Sequence, residues 1–210
     1  MAALADRIAS FFSGNDSTTD EGLRDLFISE LKSVYYTENQ AVDALGKQAK
    51  ASTTDEVRSA FLQHQEESRT HVERLEQIFK IIGIRTEERV SESINGLIDD
   101  VERITSSTES GSLTRDAGLI IGAQAIEHYE IAIYGSLLTL ARVLDFTQSA
   151  ELLEKTLAEE KETDRRLTDL AESFVNTRSK EEEDQHPGSH HASRHPIVNA
   201  DVTAGGPLGI

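Results

Sequence analysis

The placement of proline is the feature that most restricts the fold of this 210-residue chain. All three prolines lie near the carboxyl terminus, at positions 187, 196 and 207. Proline interrupts helices and removes a strand hydrogen bond, so its absence from residues 1–185 favours long, uninterrupted helices. Strand signals are few, and the one Asn-Gly pair, at 95–96, is not flanked by two β-branched segments. The chain is therefore predicted to be all-α.

Apolar residues recur at steps of three and four along four long segments, which is the spacing of one helix face. The predicted helices are A at about 20–50, B at about 55–82, C at about 112–144 and D at about 147–176. The connection from 84 to 111 carries a shorter helix at about 91–105 and is long enough to travel the length of a bundle. We therefore expect an antiparallel four-helix bundle in which a long B–C crossover joins two hairpins.

The segments on either side of the bundle differ from it in composition. Residues 1–19 are predicted to form a short amphipathic helix, at 2–12, followed by a loop rich in turn residues. Residues 20–176 form the predicted bundle. From 177 to 210 the helical period is lost and Gly, Pro, Ser and His accumulate, so this tail is predicted to be disordered.

Charge and composition argue against several classes of function. The net charge is −17, from 38 acids and 21 bases, which disfavours contacts with nucleic-acid phosphates. The absence of cysteine excludes disulfides, thiolate catalysis and cysteine-based metal sites, and fits a cytoplasmic protein. The chain has no apolar run long enough for a membrane span and no signal-peptide pattern at its start. We expect a cytoplasmic protein without nucleic-acid or membrane partners.

The most apolar stretch, residues 123–134 (AQAIEHYEIAIY), carries Glu127 and Glu130 on one side of helix C. A buried carboxylate is costly unless it is paired or binds a metal. Each of the other three helices also carries a glutamate in or beside its apolar face, near its midpoint: Glu38, Glu67 and Glu160. Because helix midpoints lie at one level in an antiparallel bundle, these acids are predicted to converge in one buried layer.

Histidine and aspartate extend this set of acids. His64 and His71 lie on the inner face of helix B, and the pairs Glu67 with His71 and Glu160 with Asp164 share an i, i+4 spacing. The inner positions of the four helices carry no Lys or Arg, so the clustered acids would repel one another unless cations balanced them. Two metal ions would do so, and carboxylate with imidazole suits iron or manganese.

The pattern departs from that of di-iron carboxylate bundles, which carry Glu-x-x-His on two helices. Thr70 and Thr163 stand where that motif has histidine, so the histidine ligand of helix B stays open. Two alternatives to a redox metal site follow. The inner acids could be hydrated or protonated in a metal-free stress or interaction protein, or the metals could be structural, without turnover.

Four segments, at 35–45 (YYTENQAVDAL), 64–79, 123–135 and 156–171, are similar to the ferritin-like YciF/YciE family. The resemblance covers about residues 21–176 and implies a ferritin-like four-helix bundle, a homodimer, a di-metal site and a link to stress responses. Carried over residue by residue, it implies the metal ligands Glu38, Glu67, Glu127, Glu130, Glu160 and Asp164, with His64 and His71 as the histidine candidates.

The function expected from these features is oxidation of Fe²⁺, or reduction of peroxide or dioxygen, at two iron ions or, alternatively, manganese. Glu38 and Glu127 are the candidates to bridge the metals. The candidate terminal ligands are Glu67, Glu160, Asp164 and one histidine of helix B. The apolar, glycine-containing end of the tail, residues 202–210, loosely resembles the peptides that load ferritin-like cargo into encapsulin shells. Two alternatives follow for the tail. It either docks to such a shell or to another protein, or it has no partner.

Overall fold

The computed structural model describes residues 22–185, and the predicted N-terminal helix and residues 186–210 lie outside this range. The helices are α1 (Leu23–Ala51), α2 (Asp55–Ile82), α3 (Glu92–Ser107), α4 (Leu113–Val143), α5 (Thr147–Leu170) and α6 (Asn176–Gln185), with a π-helical turn (Ala171–Val175) between α5 and α6. All regular structure in the described range is helical, as predicted, and α1, α2, α4 and α5 are the predicted helices A to D. Among these helices, none has the length and apolarity that crossing a membrane requires.

The four long helices form two antiparallel hairpins. Tyr35, in the first half of α1, donates a hydrogen bond to Glu76, near the end of α2. Arg142, at the end of α4, pairs with Glu154, near the start of α5. The crossover that contains α3 carries the chain from one hairpin to the other, so α2 and α4 run parallel. This is the ferritin-like connectivity expected from the sequence.

A buried carboxylate ties the two hairpins together at one end of the bundle. Asp116, in the first turn of α4, accepts hydrogen bonds from the backbone N–H groups of Thr53 and Thr54, at 2.7 and 2.9 Å. It also accepts from the Thr54 hydroxyl at 2.7 Å. The Thr54 side chain in turn caps α2 by accepting from the N–H of Val57. Asp116 is completely buried, and three donors offset the cost of burying its charge.

Two glycines of α4 allow the crossover helix α3 to pack closely. A Cβ atom at Gly122 would lie 2.5 Å from Cγ2 of Val101, and one at Gly118 would lie 2.5 Å from Cγ2 of Ile104. These distances are shorter than real Cβ contacts. Because neither position carries a side chain, α3 can pack closely against α4 at the side of the bundle.

The apolar core is divided into two clusters. One surrounds Phe27 and Phe79, at the end of the bundle where α1 begins. The other surrounds Phe61 and Leu119, at the opposite end. The side chains between the two clusters, at mid-height, are polar, and they are the acids and histidines that the sequence places near the helix midpoints.

The chain remains helical beyond the predicted end of helix D at residue 176. It passes through the π-helical turn and continues as α6 to Gln185, so the predicted disorder of residues 177–185 is wrong. This segment has no apolar period because it faces no core. It is held instead by an i, i+4 pair between Lys180 and Asp184, at 2.7 Å, and by Glu182, which accepts from the N–H of Leu113.

Candidate metal centre

Four carboxylates and two imidazoles meet between the two apolar clusters. They are Glu38 of α1, His64 and His71 of α2, Glu127 and Glu130 of α4, and Glu160 of α5. Each residue is at most 3% exposed. The predicted convergence of these side chains is therefore present in the structure, and their role as metal ligands stays a prediction.

The layer contains two groups of three residues in which one ligand atom from each residue lies within 4.8 Å of the others. In the first group, His71 Nδ1 lies 2.8 Å from Glu160 Oε1 and 3.4 Å from Glu38 Oε1. In the second, His64 Nδ1 lies 3.0 Å from Glu127 Oε1, and its Nε2 lies 3.5 Å from Glu160 Oε2. Glu160 is shared by both groups. Glu38 and Glu127, which are predicted to bridge, belong to one group each.

Most ligand atoms of the layer make no hydrogen bond of ordinary geometry, although the two imidazoles lie 2.8–3.5 Å from carboxylate oxygens. These atoms are Oε2 of Glu38, both ring nitrogens of His64, Nδ1 of His71, Oε2 of Glu127, and both carboxylate oxygens of Glu130 and of Glu160. Buried polar atoms are normally paired, and leaving one unpaired costs about 1–3 kcal/mol. Ligands about 2.1 Å from one metal ion stand about 3 Å apart at right angles, and the ring-to-carboxylate distances are 2.8–3.5 Å. The donor set fits iron or manganese.

Burial and mutual repulsion favour protonation of three of the acids. Burial, followed by the charges of Glu160 and Glu130, raises the pKa of Glu127 well above its ordinary value. Burial, followed by the charges of Glu38 and Glu160, does the same to the pKa of Glu130. Burial also raises the pKa of Glu38, even though the nearby His71 opposes the shift. Protons can therefore balance part of the negative charge of the layer when no metal is bound.

The pKa of Glu160, the carboxyl group shared by both ligand groups, shifts in the opposite direction. Burial alone would raise the pKa of Glu160, but the imidazoles of His64 and His71, which face its two oxygens, outweigh burial and lower the pKa to about 2. Burial alone would lower the pKa of His71, but Glu38 and Glu160 outweigh it and raise the pKa to about 11. Glu160 thus stays ionised at neutral pH, and His71 carries a proton that a bound metal ion would displace.

Three further residues support the layer from outside. Glu159 lies 3.0 Å from His71 Nε2, which turns the Nδ1 atom of the ring inward. Arg74 is buried and donates to both oxygens of Glu159, at 2.5 and 3.0 Å. Tyr134, completely buried, donates to Glu38 Oε1 at 2.5 Å. Glu159 and Arg74 are not among the site residues predicted from the sequence. The available signal was their position, directly before the inner Glu160 and one turn after His71.

Two of the predicted ligands lie at the edge of the layer. The Glu67 side chain is 25% exposed, pairs with Arg166 at 3.2 Å and accepts a hydrogen bond from Thr163 at 3.1 Å. The Asp164 side chain is 23% exposed, and its Oδ1 lies 3.3 Å from Nε2 of His128. Neither predicted i, i+4 pair therefore has both members in the layer. The two histidines of α2, seven residues and about two turns apart, both face it.

Comparison with known proteins gives matches over the part of the chain that contains these helices. A family profile described as "Domain of unknown function (DUF892)" matches residues 22–180. The chain belongs to the DUF892 family. Protein YciF of Escherichia coli K12 is 40% identical to this chain over 158 residues, which are 75% of this chain and 95% of YciF.

Three solved structures match most of this chain. The crystal structure of the E. coli stress protein YciF matches with a TM-score of 0.71 at 40% identity, covering 74% of this chain and 98% of YciF. YcfI of Rhodopseudomonas palustris matches with a TM-score of 0.67 at 32% identity, covering 75% and 98%. A protein of Xanthomonas campestris, at 21% identity and a TM-score of 0.60, shares the fold, over 77% and 99%. The predicted resemblance to the YciF/YciE family is confirmed.

Proposed function

We propose that this DUF892 protein binds two iron ions in the buried layer and serves in Fe²⁺ oxidation, or in peroxide or dioxygen removal, under stress. The observation that carries the proposal is the group of nine buried nitrogen and oxygen atoms, on six inner side chains, that face one another at close range but make no hydrogen bond of ordinary geometry. Such a group is costly in a metal-free protein and is what a pair of cations would satisfy.

The inner side chains divide naturally between two ions. Glu38 and His71 would hold one ion, His64 and Glu127 the other, and Glu160 has one oxygen toward each group. When bound, iron supplies one-electron chemistry between its +2 and +3 states. Four carboxylates balance two divalent ions, so the histidines can bind as neutral ligands. Manganese suits the same donors and is the alternative ion.

The surrounding residues orient the inner ligands and handle protons. Glu159 accepts the Nε2 proton of His71 and leaves Nδ1 free to bind. Tyr134 holds one oxygen of Glu38 and leaves the other without a partner. Because the pKa values of Glu127 and Glu130 are raised, metal binding would release protons from the layer.

The description of the E. coli relative YciF as a stress protein supports the stress role. A homodimer, carried over from the family resemblance, stays part of the proposal. A second candidate function is that of a metal-free helical stress or interaction protein. It is favoured by the raised pKa values of the inner acids, since protonated carboxyls could occupy the layer without a metal.

Anaerobic titration of the purified protein with Fe²⁺ tests the proposal. We expect about two equivalents per chain. Glu160→Gln should weaken both sites, because both groups share this residue, and Glu127→Ala should weaken one. Glu151→Gln changes an exposed residue of α5 and should leave binding unchanged. A folded wild-type protein that binds neither iron nor manganese would refute the site.

Mixing the loaded protein with hydrogen peroxide or dioxygen tests turnover separately. Formation of Fe³⁺, followed by its absorbance, is expected to be faster than with free Fe²⁺ under the same conditions. Stoichiometric metal binding without any acceleration would leave a structural metal site and would remove the redox role.

A further inference from the structure

A cavity opens between α1 and the crossover helix α3. Its volume is about 280 Å³, and we refer to it as the α1/α3 cavity. Ala44 and Gln48 of α1 line it from one side, and Val101 of α3 lines it from the other. Lys47 and Glu102, both more than half exposed and 2.9 Å apart, pair at its rim. The cavity thus has a charged rim and a largely apolar interior.

Gln48 is the unusual residue of this cavity. Its side chain is 2% exposed, yet neither its amide nitrogen nor its amide oxygen has a hydrogen-bond partner. Gln65 gives a contrast on the neighbouring helix, because its amide nitrogen donates to the carbonyl oxygen of Val42 at 2.7 Å. A buried amide normally finds both an acceptor and a donor. A guest of the cavity that can both accept and donate a hydrogen bond would satisfy Gln48.

A second, smaller cavity lies between the first cavity and the metal layer, and the two share lining residues. Its volume is about 10 Å³, which is room for roughly one water-sized molecule. Ala44 and Gln48 border both cavities. His64 and Glu127, which form one ligand group with Glu160, border the inner one. The two cavities are therefore neighbours, the larger one at the protein surface and the smaller one beside the candidate metal centre.

A different pocket reaches His64 from the α2–α5 side of the bundle. It has a volume of about 40 Å³ and is bordered by Glu67 and Arg166, which form an ion pair there. Charged walls suit a charged species. The α1/α3 cavity has its ion pair at the exposed rim and has Ile98 and Val101 in its wall, so its interior suits a small neutral molecule.

We propose that the α1/α3 cavity is the route by which hydrogen peroxide reaches His64 and Glu127, with Gln48 binding it on the way. Peroxide is small and neutral, and it both donates and accepts hydrogen bonds, as the unpaired amide requires. Dioxygen would leave the amide unpaired. The inference rests on the proposed function, because peroxide needs a reductant. Its reduction breaks the O–O bond and yields two waters, consuming two protons and one electron from each of two Fe²⁺ ions.

The kinetic test uses substitutions that narrow the proposed route, and it measures the rate at which peroxide oxidises bound Fe²⁺. Ala44→Leu places a larger side chain in both cavities and should lower the second-order rate constant for peroxide about tenfold or more. Gln48→Leu keeps the volume and removes the amide, and should lower it about threefold or more. Ala60→Leu narrows only the charged pocket and is the matched control, with an unchanged rate constant. A slower reaction in Ala60→Leu alone, or an effect of Ala44→Leu on dioxygen but not on peroxide, would overturn the route.

A structural readout on metal-free protein tests the route without activity. Crystals under xenon pressure should show xenon in the α1/α3 cavity of the wild type and a lower xenon occupancy in Ala44→Leu. An empty wild-type cavity would refute an open route. Circular dichroism and Fe²⁺ stoichiometry establish that the variants fold and bind. If Ala44→Leu does not fold, Gln48→Leu and wild-type xenon binding decide the matter.

The two proposals fail in different ways. If the wild-type protein binds no Fe²⁺, the proposed function fails. If Fe²⁺ binds and peroxide oxidises it equally fast in Ala44→Leu and in the wild type, only the route fails.

Discussion

Replacing Glu130 tests how much the unpaired polar atoms of the buried layer lower the free energy of unfolding. Neither of its carboxylate oxygens has a partner, and it belongs to neither of the two ligand groups. Glu130→Met replaces the carboxylate with an apolar group of similar length. In metal-free protein at about pH 8, we expect the free energy of unfolding to rise by about 1–3 kcal/mol, the usual cost of an unpaired buried polar group.

The expected pH dependence follows from the raised pKa of this carboxyl. A group that binds its proton more tightly in the folded state contributes stability that is full below its unfolded pKa, here 4.5, and is lost as pH rises toward the folded pKa. Glu127 has the same sign, as does His71, whose contribution is lost between 6.5 and about 11. Glu160 has the opposite sign, but its contribution is lost only as pH falls from 4.5 to about 2. Metal-free wild type should therefore become less stable from about pH 5 to about pH 8, and Glu130→Met less so.

Urea unfolding followed by circular dichroism measures these differences. Glu151→Met, at an exposed position of α5, is the control and should leave the pH dependence unchanged. Added Fe²⁺ should stabilise the wild type more than Glu130→Met, because binding to the folded state adds stability in proportion to affinity. If Glu130→Met lowers stability at about pH 8, the carboxylate must be satisfied in the folded protein, and the reasoning from unpaired oxygens fails.

Further substitutions test the packing and the support of the layer. Gly122→Ala should lower stability by about 1–3 kcal/mol, because its Cβ would lie 2.5 Å from Val101 Cγ2 and α3 would have to shift. Gly135→Ala is the control on the same helix, where a Cβ atom would meet no atom within 4 Å, and it should raise stability by about 1 kcal/mol through helix propensity. Thermal unfolding measures both variants. A shift of the unfolding temperature in the same direction for both would contradict the prediction. Tyr134→Phe removes the donor to Glu38 and should cost about 1.5–3 kcal/mol in urea unfolding of the metal-free protein. An unchanged midpoint would mean that Glu38 finds another donor.

The helices were predictable because their signals are local. Helix B begins after Thr54, whose side chain caps it, and ends before Gly83, which has the left-handed φ of 77° that glycine tolerates. The level of the inner acids was also predictable, since helix length alone sets the midpoints. The extension through α6 was not, because its support is a long-range contact from Glu182 to the first residue of α4.

The exact membership of the layer depended on contacts between helices. Around the axis of α2, Glu67 lies close to both histidines, so sequence spacing places it with them. Its side chain turns to the edge of the layer because it pairs with Arg166 of α5, a contact that no local sequence pattern reveals. Asp164 likewise turns toward His128 of α4. Sequence spacing therefore identified the layer but could not separate its interior from its edge.

The positions where the described chain begins and ends have a mechanical consequence. Residue 22 precedes α1 at the end of the bundle where Arg24 stacks on Phe146, while α6 leaves beside the start of α4, at the opposite end. The 29 residues of α1 span about 43 Å. Groups joined directly at residues 22 and 185 would therefore be held about one bundle length apart. The bundle acts as a stiff spacer, with the candidate metal centre midway along it.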